Sequence, residues 1–112
     1  MHAHFRLDYP PSVNTYWRHT RNGTYLTKAG QAYRTAAEGV TDVRFGAARV
    51  QMAIQLTMPD RRKRDIDNVL KAILDAVEKA GIVDNDEQID RLTIEKLQVE
   101  APGAVDVIIE EY

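Results

Sequence analysis

Residues 50–80 read VQMAIQLTMPDRRKRDIDNVLKAILDAVEKA, and the two halves of this stretch have different hydrophobic periods. From Val50 to Met58, every second residue is apolar, which is typical of a β-strand with one buried face. From about Asp65 to Ala80, apolar residues recur every three or four positions, which predicts an amphipathic helix. The stretch therefore predicts a strand and a helix that packs on the sheet containing it.

The flanking sequence predicts three more strands and one more helix. Alternating apolar residues place the strands at His4–Tyr9, Asp90–Val99 and Val105–Glu110. Thr27 is a candidate N-cap for a helix that runs to about Val40. The polar and aromatic segment at residues 14–23 is predicted to be an irregular surface loop.

The predicted element order is β-α-β-α-β-β over a single domain, residues 1–112. This order is typical of a small two-layer α/β (α+β) domain, with a mixed sheet of about four strands and two helices packed on it. Pro102-Gly103 predicts that the last two strands pair as an antiparallel hairpin. A phase shift in the alternation predicts a β-bulge near Glu95-Lys96.

Composition excludes several kinds of site. The chain of 112 residues has no cysteine, so disulfides, a thiol nucleophile and a thiolate zinc site are all excluded. No apolar run is long enough to span a bilayer, and the N-terminus does not resemble a signal peptide. We therefore expect a cytoplasmic protein with no membrane partner.

The formal net charge of −2 hides a strong asymmetry along the chain. Residues 1–64 carry eleven Lys or Arg and four Asp or Glu, whereas residues 65–112 carry four and thirteen. The boundary lies in the sequence RRKRDIDN, residues 61–68. Four cations just before a helix oppose the helix dipole, so another interaction must favour them. A polyanion bound through its phosphates is the simplest candidate.

The carboxylates of this boundary suggest a metal site. Asp65 and Asp67 lie at the corner where the helix begins, and they can converge on a hard cation such as Mg²⁺. Lys71 shares a helix face with Asp67, where it either forms a salt bridge or lies beside a phosphate. Asp86 follows the same helix, which is about 24 Å long. It would reach the site from a partner chain, or through a turn that folds back along the helix.

These residues resemble the RusA family of Holliday-junction resolvases. The resemblance is centred on Asp65-x-Asp67-Asn-x-x-Lys71 and on the acidic turn that ends at Asp86-Glu-Gln-Ile89. It extends to the N-terminal motifs Pro10-Pro11-Ser12-x-Asn14, Tyr16-Trp17-Arg18-His19 and Gly30-Gln-Ala-Tyr-Arg34. The turn departs from the family pattern, because Asn85 precedes Asp86 where members often have two adjacent acids. Asp84 is an extra acid in the turn and the weaker candidate for the role of Asp86.

The resemblance implies a homodimeric endonuclease that cuts four-way DNA junctions symmetrically with Mg²⁺ or Mn²⁺. It places Asp65, Asp67 and Asp86 on the metal-binding acids and Lys71 on the catalytic lysine. The expected DNA contacts are Arg61, Arg62, Lys63, Arg64, Arg18 and Arg21.

Three alternatives remain open from the sequence. The protein could bind branched DNA without cutting it, cut a broader range of branched DNA, or serve as a small interaction domain with an acidic turn. For Tyr16 and Trp17, we favour packing in the core or a dimer interface over stacking on bases.

Overall fold

The computed structural model describes residues 1–112, and its core is built on one four-stranded sheet. The strands are β1 (His2–Leu7), β4 (Val50–Met58), β5 (Ile89–Val99) and β6 (Ala104–Glu111), in the spatial order β1-β6-β4-β5. The alternation predicted for β4 is confirmed, because Val50, Met52, Ile54, Leu56 and Met58 are all buried on one face. The predicted class, a small α+β domain with a mixed four-stranded sheet, is confirmed.

The pairing predicted for the last two strands is wrong. β6 lies between β1 and β4 and is antiparallel to both, whereas β5 is parallel to β4 at the sheet edge. Burial explains the placement: Val105, Val107 and Ile109 of β6 are fully buried, and a central strand buries such residues best. Leu97 and Val99 of β5 are 41% and 44% exposed, which suits an edge strand.

The Pro-Gly segment between β5 and β6 crosses the end of β4 instead of closing a hairpin. The Glu100 amide donates to the Met58 carbonyl at 2.8 Å. At Gly103, with φ +83°, a Cβ atom would lie 2.9 Å from the Thr57 carbonyl oxygen, so only glycine fits. The irregularity predicted near Glu95-Lys96 lies just past Lys96, where β5 has one extra residue between its pairs with Leu56 and Met58.

Two long helices cover the buried face of the sheet. α2 (Lys28–Ala37) ends earlier than predicted, and the Thr27 side chain caps it by accepting from the Gly30 amide at 3.1 Å. α3 (Asp67–Lys79) buries Val69, Ala72, Ile73, Ala76 and Val77. It begins two residues later than predicted, after a turn in which the Asn68 amide donates to the Asp65 carbonyl at 3.1 Å. No helix of the chain is both long and apolar enough to cross a membrane.

The segment predicted as an irregular loop overlaps three regular elements. A one-turn helix α1 (Val13–Tyr16) leads into strands β2 (Trp17–Thr20) and β3 (Gly23–Leu26), which form a separate two-stranded sheet. The element order is thus longer than the predicted one. The prediction failed because most side chains of β2 and β3 are exposed on both faces, so no apolar alternation marks the strands.

A buried network ties the three helices together. Tyr16 is fully buried and donates from its hydroxyl to Asp75 at 2.6 Å. Arg34 donates to both oxygens of the same carboxylate, at 2.7 and 3.0 Å. Burial, together with the bond to Asp75, raises the pKa of Tyr16 far above its usual range. The expectation that Tyr16 packs in the core is confirmed, and Trp17 packs half-buried against the same core.

Candidate active site

The loop between β4 and α3 is held in shape by Asp60. Its carboxylate accepts from the Arg62 amide at 2.9 Å and from the Arg64 guanidinium at 3.0 Å. The hydrogen bond from Arg64 lowers the pKa of Asp60 to about 2, so this carboxylate is ionised at neutral pH. Lys96 of β5 donates to the Arg64 carbonyl, which ties the same loop to the sheet. The loop is therefore preorganised by the chain's own contacts.

Asp65 and Asp67 line one open cleft at the start of α3. The other residues of the cleft are Val13, Lys63, Arg64 and Asn68. Asp67 lies in the first turn of the helix, and both carboxylates are exposed. Neither forms a salt bridge, although four cations precede them in sequence. The structure thus brings these two predicted acids together and leaves both unneutralised.

Lys71 lies one turn further along α3. It does not form the salt bridge with Asp67 that was one of the sequence-based alternatives. Its ammonium lies 5.2 Å from the centre of the Trp17 ring, in cation–π geometry. Because Lys71 is exposed and has no anionic partner, its charge is available to a ligand.

The basic run divides into one structural cation and three available ones. The Arg64 side chain is only 19% exposed, is paired with Asp60 and lies 5.9 Å from the centre of the Tyr9 ring. Arg62 is 82% exposed and approaches Asp60 only at 3.9 Å. Arg61 and Lys63 are exposed and form no salt bridge. The predicted cations Arg18 and Arg21 lie apart from this run, exposed on the β2–β3 sheet and its turn.

Asp86 lies at the opposite end of α3 from the cleft. Its amide donates to the Glu78 carboxylate at 3.1 Å, and Glu78 follows Asp67 by about 16 Å along the helix axis. The acidic turn does not fold back along the helix, which removes one of the two routes considered from the sequence. No group of three or more His, Asp or Glu side chains of one copy is placed to hold a metal ion together.

Pairing within the acidic turn singles out two of its acids. Arg49 binds the carboxylates of both Glu87 and Asp90, and the hydrogen bond to Arg49 lowers the pKa of Asp90. Asp84 and Asp86 are exposed and have no cationic partner. Asp86 and Asp84 are therefore the members of the turn whose charge remains available.

Gln88 is a residue that the sequence analysis missed. It is 3% exposed, and its side-chain oxygen accepts from the amides of Asp84 and Asn85, both at 2.9 Å. Its side-chain nitrogen donates to the carbonyls of Gly46 and Ala48, at 2.8 and 2.7 Å. This amide fixes the turn that carries Asp86. The spacing of Asn85 and Gln88, which is that of a capping box, is the signal that would have found it.

The donors in the cleft suit a hard divalent cation. Mg²⁺ is usually held by one or two carboxylates, with water and phosphate oxygens in its remaining positions. Asp65 and Asp67 supply two unpaired carboxylates, while Lys63 lines the same cleft as an unpaired cation. The arrangement combines groups for a metal ion with groups for a phosphate chain.

Known proteins resemble this chain over nearly its whole length. The family described as Endodeoxyribonuclease RusA matches residues 8–110. A protein of Enterobacteria phage 82 named crossover junction endodeoxyribonuclease RusA is 38% identical, over 96% of this chain and 93% of its own length. A protein of the same name in Escherichia coli is 38% identical over 94% of this chain and 91% of its own length. A protein of the same name in phage HK97 is 38% identical over 88% of this chain and 85% of its own length. The matched range spans both the cleft at the start of α3 and the acidic turn, and the chain belongs to the RusA family of endodeoxyribonucleases.

Proposed function

We propose that this protein resolves four-way DNA junctions by paired, symmetric, metal-dependent nicks. The observation that carries the proposal is the cleft at the start of α3, where Asp65 and Asp67 stand unpaired beside the free cation Lys63. A structural ion network would have neutralised these acids, as Arg64 neutralises Asp60. The names of the relatives support the same activity. We further propose that it acts on DNA in the cytoplasm.

The roles of the residues follow from their chemistry. Asp65 and Asp67 would hold Mg²⁺, or Mn²⁺ in its place; such an ion lowers the pKa of a bound water and offsets charge on the scissile phosphate. Lys71 donates hydrogen bonds to phosphate oxygens, where its charge stabilises the negative charge that develops. Arg61, Arg62 and Lys63 bind neighbouring phosphates and make affinity depend on salt.

The position of Asp86 supports a homodimeric enzyme. Within one copy it lies about three helical turns from Asp67. If Asp86 is a ligand, it reaches the cleft of a second copy, and each site is then built from two chains. Two such sites related by a two-fold axis match the near two-fold symmetry of a junction.

Cleavage of a synthetic four-way junction tests the activity. The junction, a fork and a linear duplex are incubated with the wild type, Asp65→Asn and Asp67→Asn, with and without Mg²⁺. Asp42→Asn is the matched control, because Asp42 is an exposed acid outside the cleft. We expect paired nicks on the junction with wild type and control, and binding without nicking by the cleft variants.

Two other results would replace the proposal. A wild type that binds the junction but cuts in neither Mg²⁺ nor Mn²⁺ is a non-catalytic binding protein. Equal cutting of fork and junction indicates a nuclease of broader branched-DNA specificity.

Mixed dimers test whether the site spans two chains. Asp65→Asn and Asp86→Asn are each expected to be inactive alone. When the two variants are co-expressed, a shared site places both substitutions in one of the two clefts and leaves the other cleft intact. Nicking of one strand should therefore return in the mixture. A mixture as inactive as its parents places Asp86 in the same chain's site, and an Asp86→Asn variant that cuts on its own places Asp86 outside catalysis.

A further inference from the structure

The β2–β3 hairpin is an arm anchored at one end. Its strands pair only with each other, and an isolated hairpin is at best marginally stable in water. Trp17 and Leu26, which are opposite each other at its base, pack against the core. Beyond that pair every residue to the tip is exposed. The arm therefore presents most of its surface to a ligand.

The charge of this arm is uniformly positive. Between Asp8 and Glu38 the sequence contains no acid, whereas it contains Arg18, Arg21 and Lys28 close to the hairpin. None of these three cations forms a salt bridge. In a chain with a net charge of −2, an acid-free segment of this kind is suited to a polyanion.

Tyr25 is the aromatic residue exposed on this arm. It is 52% exposed and lies directly across from Arg18 in the ladder, so the two side chains share one face of the hairpin. No hydrogen bond or aromatic partner engages its side chain. Proteins that bind single-stranded nucleic acid combine an aromatic ring that stacks on a base with a cation that binds the neighbouring phosphate.

The base of the arm adjoins the catalytic helix. Trp17 begins β2, and its ring lies 5.2 Å from the Lys71 ammonium of α3. The two-residue turn at the far end of the arm, Arg21-Asn22, is only a few residues along each strand from Trp17 and Leu26 at the base of the arm. A DNA strand with its scissile phosphate near Lys71 would therefore pass along the arm.

We propose that Tyr25 stacks on a base at the branch point of the junction while Arg18 and Arg21 hold the adjoining phosphates. This rests on the proposed function, and it assigns the recognition of branching to the hairpin. Bases at a branch point are the least constrained by stacking, so they are the ones an exposed ring can engage. A linear duplex offers no such base.

Fluorescence of 2-aminopurine tests the proposal without relying on cleavage. Junctions carry the probe either at the branch point or in the middle of an arm, and titrations are made in Ca²⁺ so that cutting does not interfere. The variants are Tyr25→Val and Tyr25→Phe. Tyr112→Val is the matched control, because Tyr112 is another exposed tyrosine, at the C-terminus.

The expected result separates stacking from charge. Wild type, Tyr25→Phe and Tyr112→Val should change the fluorescence of the branch-point probe and leave the mid-arm probe unchanged. Tyr25→Val should lose that change and bind the junction roughly tenfold more weakly, with affinity for linear duplex unaltered. A wild type that gives this signal but does not nick in Mg²⁺ refutes the proposed catalysis and leaves the role of Tyr25 standing.

Two results would overturn the inference. If Tyr25→Val binds the junction as the wild type does, with the same fluorescence change, the ring makes no base contact. If Tyr25→Val becomes monomeric in sedimentation and loses junction and duplex binding together, the arm joins two protein copies instead of contacting DNA.

Discussion

Replacing Gln88 by Met should destabilise the protein far more than an ordinary Gln-to-Met change. The side chain is 3% exposed and makes four hydrogen bonds to backbone groups, each 2.7 to 2.9 Å long. Met fills a similar volume but removes all four bonds. The Asp84 amide and the Gly46 carbonyl still bond each other at 3.2 Å, so the Asn85 amide and the Ala48 carbonyl are the groups left unsatisfied. A buried unsatisfied group costs about 1–3 kcal/mol. The residues that supply these groups are exposed or half-buried, so water can replace part of the loss.

We therefore expect a loss of about 3 kcal/mol in the free energy of unfolding, in the lower half of the roughly 2–6 kcal/mol that two such penalties give. With a urea m value of about 2 kcal/mol/M, the midpoint should fall by about 1.5 M. The assay is urea unfolding followed by Trp17 fluorescence, at one protein concentration, because association shifts apparent stability. Gln31→Met, on the exposed face of α2, is the matched control and should change the midpoint little.

Introducing a carboxylate at the same position provides a second check, through the pH dependence of stability. Gln88→Glu places a carboxylate against the carbonyls of Gly46 and Ala48, which raises its pKa in the folded state above the unfolded value. Its destabilisation should therefore grow as pH rises from about 4 to 8. If Gln88→Met and Gln31→Met unfold at the same urea concentration, the hydrogen bonds of Gln88 contribute nothing net and the reasoning is refuted.

Three further perturbations follow from the site. Lys71→Ala should retain junction binding and lose most cleavage, measured as single-turnover nicking; unchanged nicking would remove this ammonium from the mechanism. Lys63→Ala should lower the slope of log affinity against log salt by about one unit, because one phosphate contact is lost, and a salt-insensitive defect would contradict that role. Asp60→Asn should destabilise the fold at neutral pH. Since Arg64 lowers the pKa of Asp60 to about 2, against about 3.9 when unfolded, the wild type loses this stabilisation as pH falls through that window. The difference in urea midpoint should then shrink between pH 5 and pH 2; a constant difference would show that Asp60 acts without its charge.

Sequence periodicity predicted the elements whose burial is one-sided. β4 and α3 have apolar residues on one face only, so their periods identify both elements. The β2–β3 hairpin has little burial on either face, so its sequence lacks the apolar alternation that would predict strands. Short polar strands that form an arm therefore cannot be predicted from hydrophobic periodicity, which detects only strands with a buried face.

Strand order could not be predicted from local pattern. Pro102-Gly103 suits a tight turn, but it also suits a connection that must pass close over the end of β4. Which of β5 and β6 lies beside β4 in the centre of the sheet depends on which strand has the more apolar inner face, since that strand gains most from a central position. Val107 of β6 is fully buried, whereas Leu97 of β5 is 41% exposed. Comparing the two strands as competitors for the centre would have favoured the observed order.

The candidate site was predictable where its residues are close in sequence. Asp65, Asp67 and Lys71 lie within two turns at one helix start, so their spacing alone places them near one another. Asp86 follows a helix whose length keeps it away from the cleft of its own chain. No property of a single chain specifies which surface meets Asp86 in an assembly. The sequence therefore left its route open, and the structure of one copy removes only the folded-back turn.

Pairing of the acids explains how an acidic protein can act on DNA. Asp60, Asp75, Glu87 and Asp90 are each bound by an arginine and serve the fold. Asp65 and Asp67 are left unpaired at the place where a phosphate would have to approach. Without a cation, their charges repel that phosphate, so we expect the free energy of binding there to depend on a divalent ion more than on the average charge of the chain. The same separation explains why net charge was a poor guide: the charges that fold the protein cancel one another, whereas the cleft combines unpaired carboxylates with an unpaired cation.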